Sequence, residues 1–191
     1  MANWYQDQLT NKNFLSPIGF VFLLEKARKT SFLCQKAEIP SITLGKVDIP
    51  TRGMVSIPIE GNVQYGELNI EFIVDEDLRN YMELHNWIRA LGVPQGDAVS
   101  TEAFKNAHRN PRIPTGQYKG YNDYRYSDAT LQVLNNNNLV NFDVVFKDVF
   151  PVALSTMPFD VTGTDNDYLT ATATFEYVLY EVRETNQQKL R

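Results

Sequence analysis

The sequence has little of what metalloproteins and most enzymes need. Its 191 residues include one cysteine, Cys34, and two histidines, so neither an intramolecular disulfide nor a metal site made of thiolates is possible. His85 falls on the apolar face of a predicted helix, which favours a packed side chain over a general base, and His108 lies in a different segment. No glycine-rich phosphate loop stands between a strand and a helix. We therefore expect no enzyme activity, no cofactor and no metal.

An excess of positive charge and long hydrophobic runs are also missing. The net charge of −5 disfavours extensive wrapping of nucleic acid, because such binding needs a basic surface that displaces counterions. No apolar run approaches the roughly 18 residues of a transmembrane helix, and the start MANWYQDQLT lacks the basic-then-apolar order of a signal peptide. We therefore expect a chain that folds in the cytoplasm and does not insert into a membrane.

The chain does contain enough apolar material for one core. Hydrophobic residues make up 43% of it and aromatic residues 12%, which suffices for one well-filled domain of this length. We predict a single domain over residues 1–191, with a polar N-terminal arm at 1–15, an insertion at 93–124 and a C-terminal tail at 184–191.

The insertion differs in composition from the rest of the chain. Gly, Pro, Asn and Tyr replace the apolar periodicity, and a segment of this length without regular structure more often makes contacts than it forms core. Its tyrosines and basic residues could stack on nucleic-acid bases, but in an acidic chain a protein interface is favoured. The candidate contact residues are Arg109, Arg112, Tyr118, Tyr121 and Tyr124.

The first part of the domain is predicted to form a hairpin. The run PIGFVFLL at 17–24 is almost continuously apolar, which predicts a strand covered on both faces. Residues 26–29 then predict a polar turn, and residues 30–39 a second strand that ends before Pro40. We expect the two strands to pair in the antiparallel sense.

A strand followed by a helix is predicted after the hairpin and the arm. Apolar and polar residues alternate over 65–74, which indicates one buried and one solvated face. Asp75 is then a candidate N-cap for a helix at about 76–91, because apolar side chains recur at helical spacing until Gly92. The predicted buried residues of the strand are Leu68, Ile70 and Phe72.

Antiparallel strands are predicted again towards the C-terminus. Residues 127–134 and 139–149 flank an asparagine run that tolerates left-handed backbone, so a hairpin is expected. One long strand is predicted over 168–182. The fold class is therefore α+β, a mainly antiparallel β-sandwich or barrel with one packed helix at about 76–91 and a long protruding β-arm at about 41–60.

The protruding arm is the most unusual part of the sequence. Its legs, at 41–49 and 52–59, are apolar and β-rich, but Pro40, Pro50 and Pro58 exclude them from the interior of a sheet. Unpaired strand edges with so few charges invite another chain, so we predict that the arm contacts another subunit. The predicted contact side chains are Ile42, Leu44, Val47, Ile49, Arg52, Met54, Val55 and Ile57.

Several segments follow one another in a recognisable order. They are FLCQKAEIP, the arm with IPTRG, then IPIEG, YGELNIEFIVDEDL and NYMELHNWI, and near the C-terminus FEYVLYE. The strand before the arm ends in an A-x-x-P element at 37–40, and the helix carries Trp87 near its end. This ordered set resembles the tail tube proteins of contractile-tailed bacteriophages over residues 16–91 and 127–182. The insertion and the C-terminal tail depart from the family pattern.

The resemblance implies a structural role in a virion. It implies a homo-oligomer of hexameric rings that stack through the arm and surround a β-lined channel. It also implies three kinds of partner: a tail sheath protein, a tape-measure protein, and baseplate or tube-terminating proteins. The tail would be assembled in the host cytoplasm, and DNA would only pass through the channel during genome ejection, without specific binding.

A channel for DNA should not bind its phosphates tightly. An acidic wall repels phosphate over a Debye length of ~8 Å at physiological salt, and the polar faces of two predicted strands carry glutamate and threonine. The lumen candidates are Glu60, Glu67, Glu71, Thr170, Thr172, Thr174 and Glu176.

Two other functions stay open at this point. A specialised ring of the same fold, at the baseplate–tube junction or at the tube end, would use the insertion and the tail for its non-repeating contacts. A monomeric β-barrel that binds a ligand or acts as an enzyme is disfavoured, because no acid–base set converges. The fold alone does not separate these functions, since one fold hosts many of them.

Overall fold

A computed structural model describes residues 13–50, 56–92, 125–160 and 168–184 of the protein. The predicted insertion, most of the N-terminal arm and most of the C-terminal tail lie outside these ranges. In chain order the elements are β1 (Phe20–Leu24), α1 (Arg28–Phe32), β2 (Cys34–Ala37), β3 (Ile42–Pro50), β4 (Ser56–Tyr65), β5 (Leu68–Ile73), α2 (Arg79–Gly92), β6 (Ser127–Leu134), β7 (Val140–Leu154), β8 (Thr170–Glu176) and β9 (Leu179–Glu184).

The strands pair in the antiparallel sense. One seven-stranded sheet has the order β1-β6-β7-β8-β5-β2, with β9 also paired to β7, and β3 and β4 form a separate two-stranded sheet. The first part of β7 lies between β6 and β9, whereas its last residues, from Phe150, pair with β8. The register shifts next to Asp148, which has a φ of 55°. The predicted α+β fold, with antiparallel sheets and a protruding arm, is confirmed.

One core joins the strands of the large sheet and α2. Residues from β1, β5, β6, β7, β8 and α2 belong to a single buried cluster. Full burial of a side chain such as Phe72 contributes about 1.5–3 kcal/mol to folding. The alternation predicted for β5 is confirmed, and the buried residues are Leu68, Ile70 and Phe72.

The prediction that the first strand is covered on both faces is wrong. Phe22 and Leu24 are buried, but Val21 and Leu23 keep 41% and 47% of their surface exposed. β1 lies at an edge of the large sheet, next to β6. A continuously apolar run predicts burial of both faces, but it does not show that the chain itself supplies a cover for each face.

A short helix, α1, replaces the start of the predicted second strand. The Ser31 Oγ accepts a hydrogen bond from the backbone N–H of Leu24 (2.8 Å), and the Thr30 hydroxyl donates to the carbonyl of Asn80 (3.1 Å). These contacts hold residues 28–32 as a helical turn, so the predicted strand at 30–39 is wrong in its first part. The remaining residues form β2, which pairs with β5, while β1 pairs with β6, so the predicted hairpin of the first two strands is also wrong.

The main helix, α2, begins at Arg79, later than predicted, and Asp75 is not its N-cap. The buried Asn80 side chain accepts a hydrogen bond from the N–H of Asp75 (3.1 Å) and donates one to the carbonyl of Ile73 (2.7 Å). Leu78 has a φ of 57°, which is incompatible with a helix that passes through it. A long-range side chain therefore closes a turn where local capping signals predicted a helix.

The same helix packs on the core through one side. Leu84, Trp87 and Ala90 are buried, whereas Met82 is 41% exposed. The Trp87 Nε1–H donates a hydrogen bond to the carbonyl of Arg125 (3.2 Å). The helix therefore covers the core beside the start of β6.

The hairpin predicted around the asparagine run is confirmed. Asn138 has a φ of 57°, as expected for an asparagine in a tight turn. The Asn135 Oδ1 accepts hydrogen bonds from the N–H groups of Asn137 (2.9 Å) and Leu139 (3.0 Å). The turn joins β6 to β7.

The predicted final strand at 168–182 is divided into two strands, β8 and β9. β8 pairs with β5 and with the last part of β7, while β9 pairs with the first part of β7. Between them Val178 donates its N–H to the carbonyl of Lys147 (3.1 Å). This division lies next to Asp148, which has a positive φ. β7 and the β8–β9 segment therefore change direction at the same place.

Candidate assembly surfaces

The arm is a two-stranded ribbon that pairs only with itself in the described part of the chain. β3 and β4 are in register from Ile42 opposite Tyr65 to Pro50 opposite Ser56. The second leg is longer than predicted, because it continues to Tyr65 instead of ending at Ile59. The strand predicted to start at residue 65 starts at Leu68.

The large apolar side chains of the arm remain in contact with water. Their exposed fractions run from 39% for Tyr65 to 60% for Leu44. Monomeric proteins rarely expose contiguous apolar surface of this kind. The exposed set is Ile42, Leu44, Val47, Ile49, Ile57, Ile59, Val63 and Tyr65. The predicted contact residues Arg52, Met54 and Val55 lie outside the described residues.

Two glycines form a bulge in the middle of the ribbon. The register shifts between Leu44 and Lys46, so that Gly61 and Asn62 both lie opposite Gly45. A Cβ atom on Gly61 would lie 2.9 Å from the carbonyl oxygen of Gly45. Glycine is therefore needed at this close approach of two backbones.

The bulge separates two apolar patches. Directly opposed residues of an antiparallel pair share a face, and successive residues of a strand alternate between faces. Along β3 the apolar residues occupy even positions before the bulge and odd positions after it, so the apolar face changes sides. We name the proximal patch, Ile42, Leu44, Val63 and Tyr65, and the distal patch, Val47, Ile49, Ile57 and Ile59.

The outer half of the ribbon is amphipathic. Lys46 lies opposite Glu60, on the face that the distal patch does not use. The Lys46 Nζ is 4.0 Å from a carboxylate oxygen of Asp48, which shares that face. Exposed ion pairs of this kind add little stability, so these charges mainly keep one face of the ribbon solvated.

Aromatic rings hold the root of the arm against the domain. The Tyr65 ring lies 5.4 Å from that of Tyr180, in an edge-to-face arrangement, and 6.1 Å from that of Tyr177. Both partner rings also contact Phe146, at 5.8 Å and 5.2 Å between centroids. Aromatic pairs of this geometry contribute about 0.5–1.5 kcal/mol beyond their burial.

Hydrogen bonds fix the same root. The Tyr177 hydroxyl donates to the carbonyl of Gly66 (2.8 Å), and the Tyr180 hydroxyl donates to the carbonyl of Pro40 (3.4 Å). Gly66 also donates its N–H to the carbonyl of Ser41 (2.8 Å). Because the last strand is divided into β8 and β9, Tyr177 and Tyr180 lie at the two points where the arm joins the domain. The sequence analysis did not predict this role. The spacing of the tyrosines in FEYVLYE was a signal, because residues three apart do not share a face of a regular strand.

Burial raises the pKa of Tyr177 to about 12, and the negative charges that form on Tyr180 and Glu176 add to the increase. The hydroxyl therefore stays protonated and available as a donor over the whole physiological range. Its hydrogen bond to the root of the arm does not depend on pH there.

Most of the lumen candidates share one face of the β5–β8 pair. Glu71 lies directly opposite Thr172, and the Thr174 hydroxyl donates a hydrogen bond to the Asn69 Oδ1 (2.9 Å). This face is the one turned away from the core, because the intervening residues of β8 are buried. The members that the structure brings together are Glu71, Thr170, Thr172, Thr174 and Glu176.

Two lumen candidates lie elsewhere. Lys36, which was not among the candidates, lies at the edge of the face. Glu60 belongs to the arm, and Glu67 lies in the connection between β4 and β5. Lys36 of β2 is opposite Glu71, and its Nζ is 2.7 Å from a carboxylate oxygen of Glu38. Its hydrogen bond to Glu38 and the nearby negative charges raise the pKa of Lys36. The face is therefore mixed in charge at this edge.

An apolar groove lies beside β1 and is also lined by residues of α1 and β6. Its volume is about 700 Å³. Burial raises the pKa of the Cys34 thiol in its wall to about 11, so the thiol is neutral and poorly nucleophilic at neutral pH. The lining includes Val21, Phe22, Leu23, Arg28, Phe32 and Cys34.

The structure describes few groups suited to chemistry. His85 is half-buried on α2, and its Nδ1 has no hydrogen-bond partner among the described residues. His108 and the predicted contacts of the insertion lie outside them. Within the described ranges no group of three or more His, Cys, Asp or Glu could hold a metal ion. None of the helices described is long and apolar enough to cross a membrane.

The fold and these surfaces define a class of protein. The described residues form a β-rich domain whose apolar ribbon and sheet edges suit association with other subunits. The sequence matches a family model described as phage tail tube protein over residues 7–183. Since this match spans most of the chain, the protein belongs to the phage tail tube protein family. A comparison with curated proteins gave no match.

Solved structures share the fold. A chain in the cryo-EM structure of the sheath–tube complex of the PVC extracellular contractile injection system, in the extended state, is 13% identical with a TM-score of 0.60, over 91% of this chain and 94% of that chain. A chain in the structure of the tube-terminating cap of the anti-feeding prophage is 13% identical with a TM-score of 0.62, over 97% and 100%. A chain in the baseplate of the same prophage is 16% identical with a TM-score of 0.55, over 87% and 92%.

Proposed function

We propose that the protein is the repeating subunit of a tail tube, in which hexameric rings stack through the arm. The observation that carries this proposal is the arm itself, whose large apolar side chains are 39–60% exposed. Burial of such surface is the main favourable contribution to association, and a fully buried side chain of this size contributes about 1.5–3 kcal/mol. The arm therefore offers apolar surface through which subunits can join.

Ring formation within one layer is supported by the edges of the large sheet. β1 and β9 lie on opposite sides of the β6–β7 hairpin. Contacts between unlike edges close into a ring when each subunit is rotated by a fixed angle. Such pairing also satisfies the unpaired N–H and C=O groups that an edge strand presents.

The polar face of the β5–β8 pair is assigned to the channel wall. Threonine hydroxyls and the carboxylates of Glu71 and Glu176 form this face, with Lys36 at its edge. The hydroxyls are uncharged and the carboxylates repel phosphate. DNA would therefore cross the channel during ejection without specific binding. Glu60 and Glu67 lie outside this face, so the proposal assigns the wall to the other five candidates.

The proposed assembly has defined partners. A tape-measure protein would fill the channel, a sheath would surround the tube, and baseplate and tube-terminating proteins would contact its ends. The similarity to a chain in a sheath–tube complex supports this arrangement. The assembled protein would be part of the virion tail, after assembly in the host cytoplasm.

A second candidate is a specialised ring at the tube end or at the baseplate junction. The observation that favours it is the similarity to a chain of a tube-terminating cap, which covers 97% of this chain and all of that one. The insertion at 93–124 would make its non-repeating contacts.

Negative-stain electron microscopy of the purified protein tests these functions, with sedimentation velocity as a second measurement. Long tubes of stacked rings are expected for the repeating subunit. Single rings that do not stack would favour the specialised ring. Folded monomers at all concentrations would overturn both assignments and favour the monomeric β-barrel.

A further inference from the structure

We infer that four side chains form a clamp that closes the base of the insertion at 93–124, so that the domain folds without this segment. The clamp consists of Lys26, Trp87, Tyr126 and Phe150. The inference goes beyond the proposed function, because it concerns the folding of one subunit and not its assembly.

Trp87 fixes the point at which the chain returns to the domain after the insertion. Trp87 is 1% exposed, and its ring centroid lies 6.4 Å from that of Phe175 in the core. Its Nε1–H donates a hydrogen bond to the carbonyl of Arg125 (3.2 Å). Trp87 belongs to the last part of α2, which ends at Gly92. One core side chain therefore connects the helix that leads into the insertion with the residue that follows it.

Lys26 holds the next two residues of the chain. It lies in the connection between β1 and α1. Its Nζ donates a hydrogen bond to the carbonyl of Tyr126 and lies 5.9 Å from the centroid of the Trp87 ring. Its backbone N–H donates to the Ser127 Oγ (3.3 Å). A cation at this distance over an indole ring is attracted by the electrons of the ring, so Lys26 links Trp87 to the first residues after the insertion.

Two further contacts complete the attachment. The Tyr126 ring packs edge-to-face on that of Phe150, with 5.7 Å between centroids. The backbone N–H of Glu25 donates a hydrogen bond to the carbonyl of Asp128 (3.4 Å). Each residue from 125 to 128 is therefore bonded to, or packed on, a residue of the domain that lies outside the insertion.

The two ends of the insertion are close enough for a short connection. At a rise of about 1.5 Å per residue, Gly92 lies about 7.5 Å beyond Trp87 along the helix axis, and Trp87 contacts Arg125 directly. A connection of about six residues can span up to about 20 Å. Because a shorter loop is closed at a lower entropic cost, such a connection should not destabilise a domain in which both ends are already clamped.

Replacement of residues 93–124 by a Gly-Ser linker of about six residues tests the inference. The chain has two tryptophans, so Trp4→Phe is introduced throughout and the fluorescence then reports Trp87 alone. Lys26→Met removes the ammonium group and keeps an apolar stem. Lys29→Met, at an exposed site on α1, is the matched control. Both substitutions are made in the full and in the truncated chain, and urea unfolding is followed for each protein.

The truncated chain should show the same shielded emission of Trp87 as the full chain, with a urea midpoint at least as high. Lys26→Met should lower the midpoint of both chains by the same amount, because the clamp acts without the insertion, whereas Lys29→Met should leave both midpoints unchanged.

An unfolded truncated chain, or one with a clearly lower midpoint, would show that the domain needs the insertion. An effect of Lys26→Met in the full chain alone, or in neither chain, would overturn the clamp. Since every comparison concerns the unfolding of the subunit, these outcomes are distinct from a failure of the protein to form tubes, which would overturn only the proposed function.

Discussion

The arm and the β5–β8 pair are both antiparallel strand pairs with alternating residues, but they treat their apolar side chains differently. In the β5–β8 pair, apolar residues face a core that α2 and the rest of the sheet cover, and Leu68 and Phe175 are fully buried. In the arm, comparable side chains are 39–60% exposed. The comparison shows that strand pairing itself does not bury side chains, because a two-stranded ribbon has no second layer.

The two regions should therefore respond differently to substitution. A change in the β5–β8 core should alter the free energy of unfolding of each subunit. A change in the arm should alter association and leave the folded subunit intact.

The largest expected effect is the loss of assembly in the double variant Ile49→Asp with Ile57→Asp. Two carboxylates in the distal patch would be buried without partners at a subunit contact, which is strongly unfavourable. We expect no tubes in electron micrographs, while the free energy of unfolding changes by less than about 0.5 kcal/mol, as is usual for exposed sites. Ser56→Asp, which is adjacent to Ile57 but lies on the opposite face of the ribbon, is the control and should still assemble. Continued tube growth by the double variant would show that the distal patch is not a contact.

A large effect on the subunit itself is expected for Phe175→Ala. Phe175 is fully buried and packs near Trp87, with 6.4 Å between ring centroids. Removing a buried phenylalanine side chain costs about 3–5 kcal/mol. Urea denaturation followed by circular dichroism measures the change, with Val178→Ala, at an exposed site between β8 and β9, as control. A loss below about 1 kcal/mol would contradict the assignment of this residue to the core.

An intermediate effect is expected for Gly61→Ala. The added Cβ would approach the carbonyl oxygen of Gly45 at 2.9 Å, so the bulge must rearrange and the distal patch must shift relative to the proximal one. Tube formation should be impaired, and hydrogen exchange in β3 and β4 should increase. Gly92→Ala is a matched control, because a Cβ there meets nothing within 4 Å. Equal behaviour of the two variants would show that the bulge does not matter for assembly.

A smaller effect is expected for Tyr177→Phe, which removes the hydrogen bond to the root of the arm. A typical hydrogen bond contributes about 0.5–1.5 kcal/mol. Because burial raises the pKa of Tyr177 to about 12, the unfolded chain loses this proton at a lower pH than the folded one. The contribution of this group is therefore fully present below its ordinary pKa of 10.0 and is lost as pH rises from there through about 12.

Urea midpoints measured between pH 8 and pH 12 test this pH dependence. The natural sequence should lose stability more steeply above about pH 10 than Tyr177→Phe. Parallel curves would show that Tyr177 has the same pKa in the folded and unfolded states.

The smallest effect on the subunit is expected for Glu71→Lys. The residue lies on the polar face of β5, opposite Thr172, so folding and ring formation should be unchanged. A positive charge on the channel wall would attract phosphate and slow genome ejection. Ejection kinetics measured by release of a DNA-binding dye test this, with Glu67→Lys as control outside the face. Unchanged kinetics would remove Glu71 from the channel wall.

Local patterns were sufficient for some parts of the fold. The alternation in β5 and the asparagine turn before β7 were predicted, because burial and backbone conformation there depend mainly on the local residue types. The start of α2 was not predicted, since the buried Asn80 side chain closes a turn where acidic residues indicated an N-cap. The division of the last strand was also missed, because it depends on the change of direction in β7 next to Asp148. The same contacts place Tyr177 and Tyr180 at the arm root.

The sequence by itself determined that the strands are mainly antiparallel and that the chain has a single cysteine. It also determined an apolar arm that is limited by prolines and carries too few charges for a solvated loop. Only the tertiary structure decided that the apolar face of that arm changes sides at Gly61, that Val21 and Leu23 of β1 remain about half exposed, and that two tyrosines hold the arm root. The physical reason is the separation along the chain between the residues that interact. Strand alternation and turn preferences act between neighbouring residues, whereas register shifts, sheet edges and aromatic contacts depend on segments far apart in the chain.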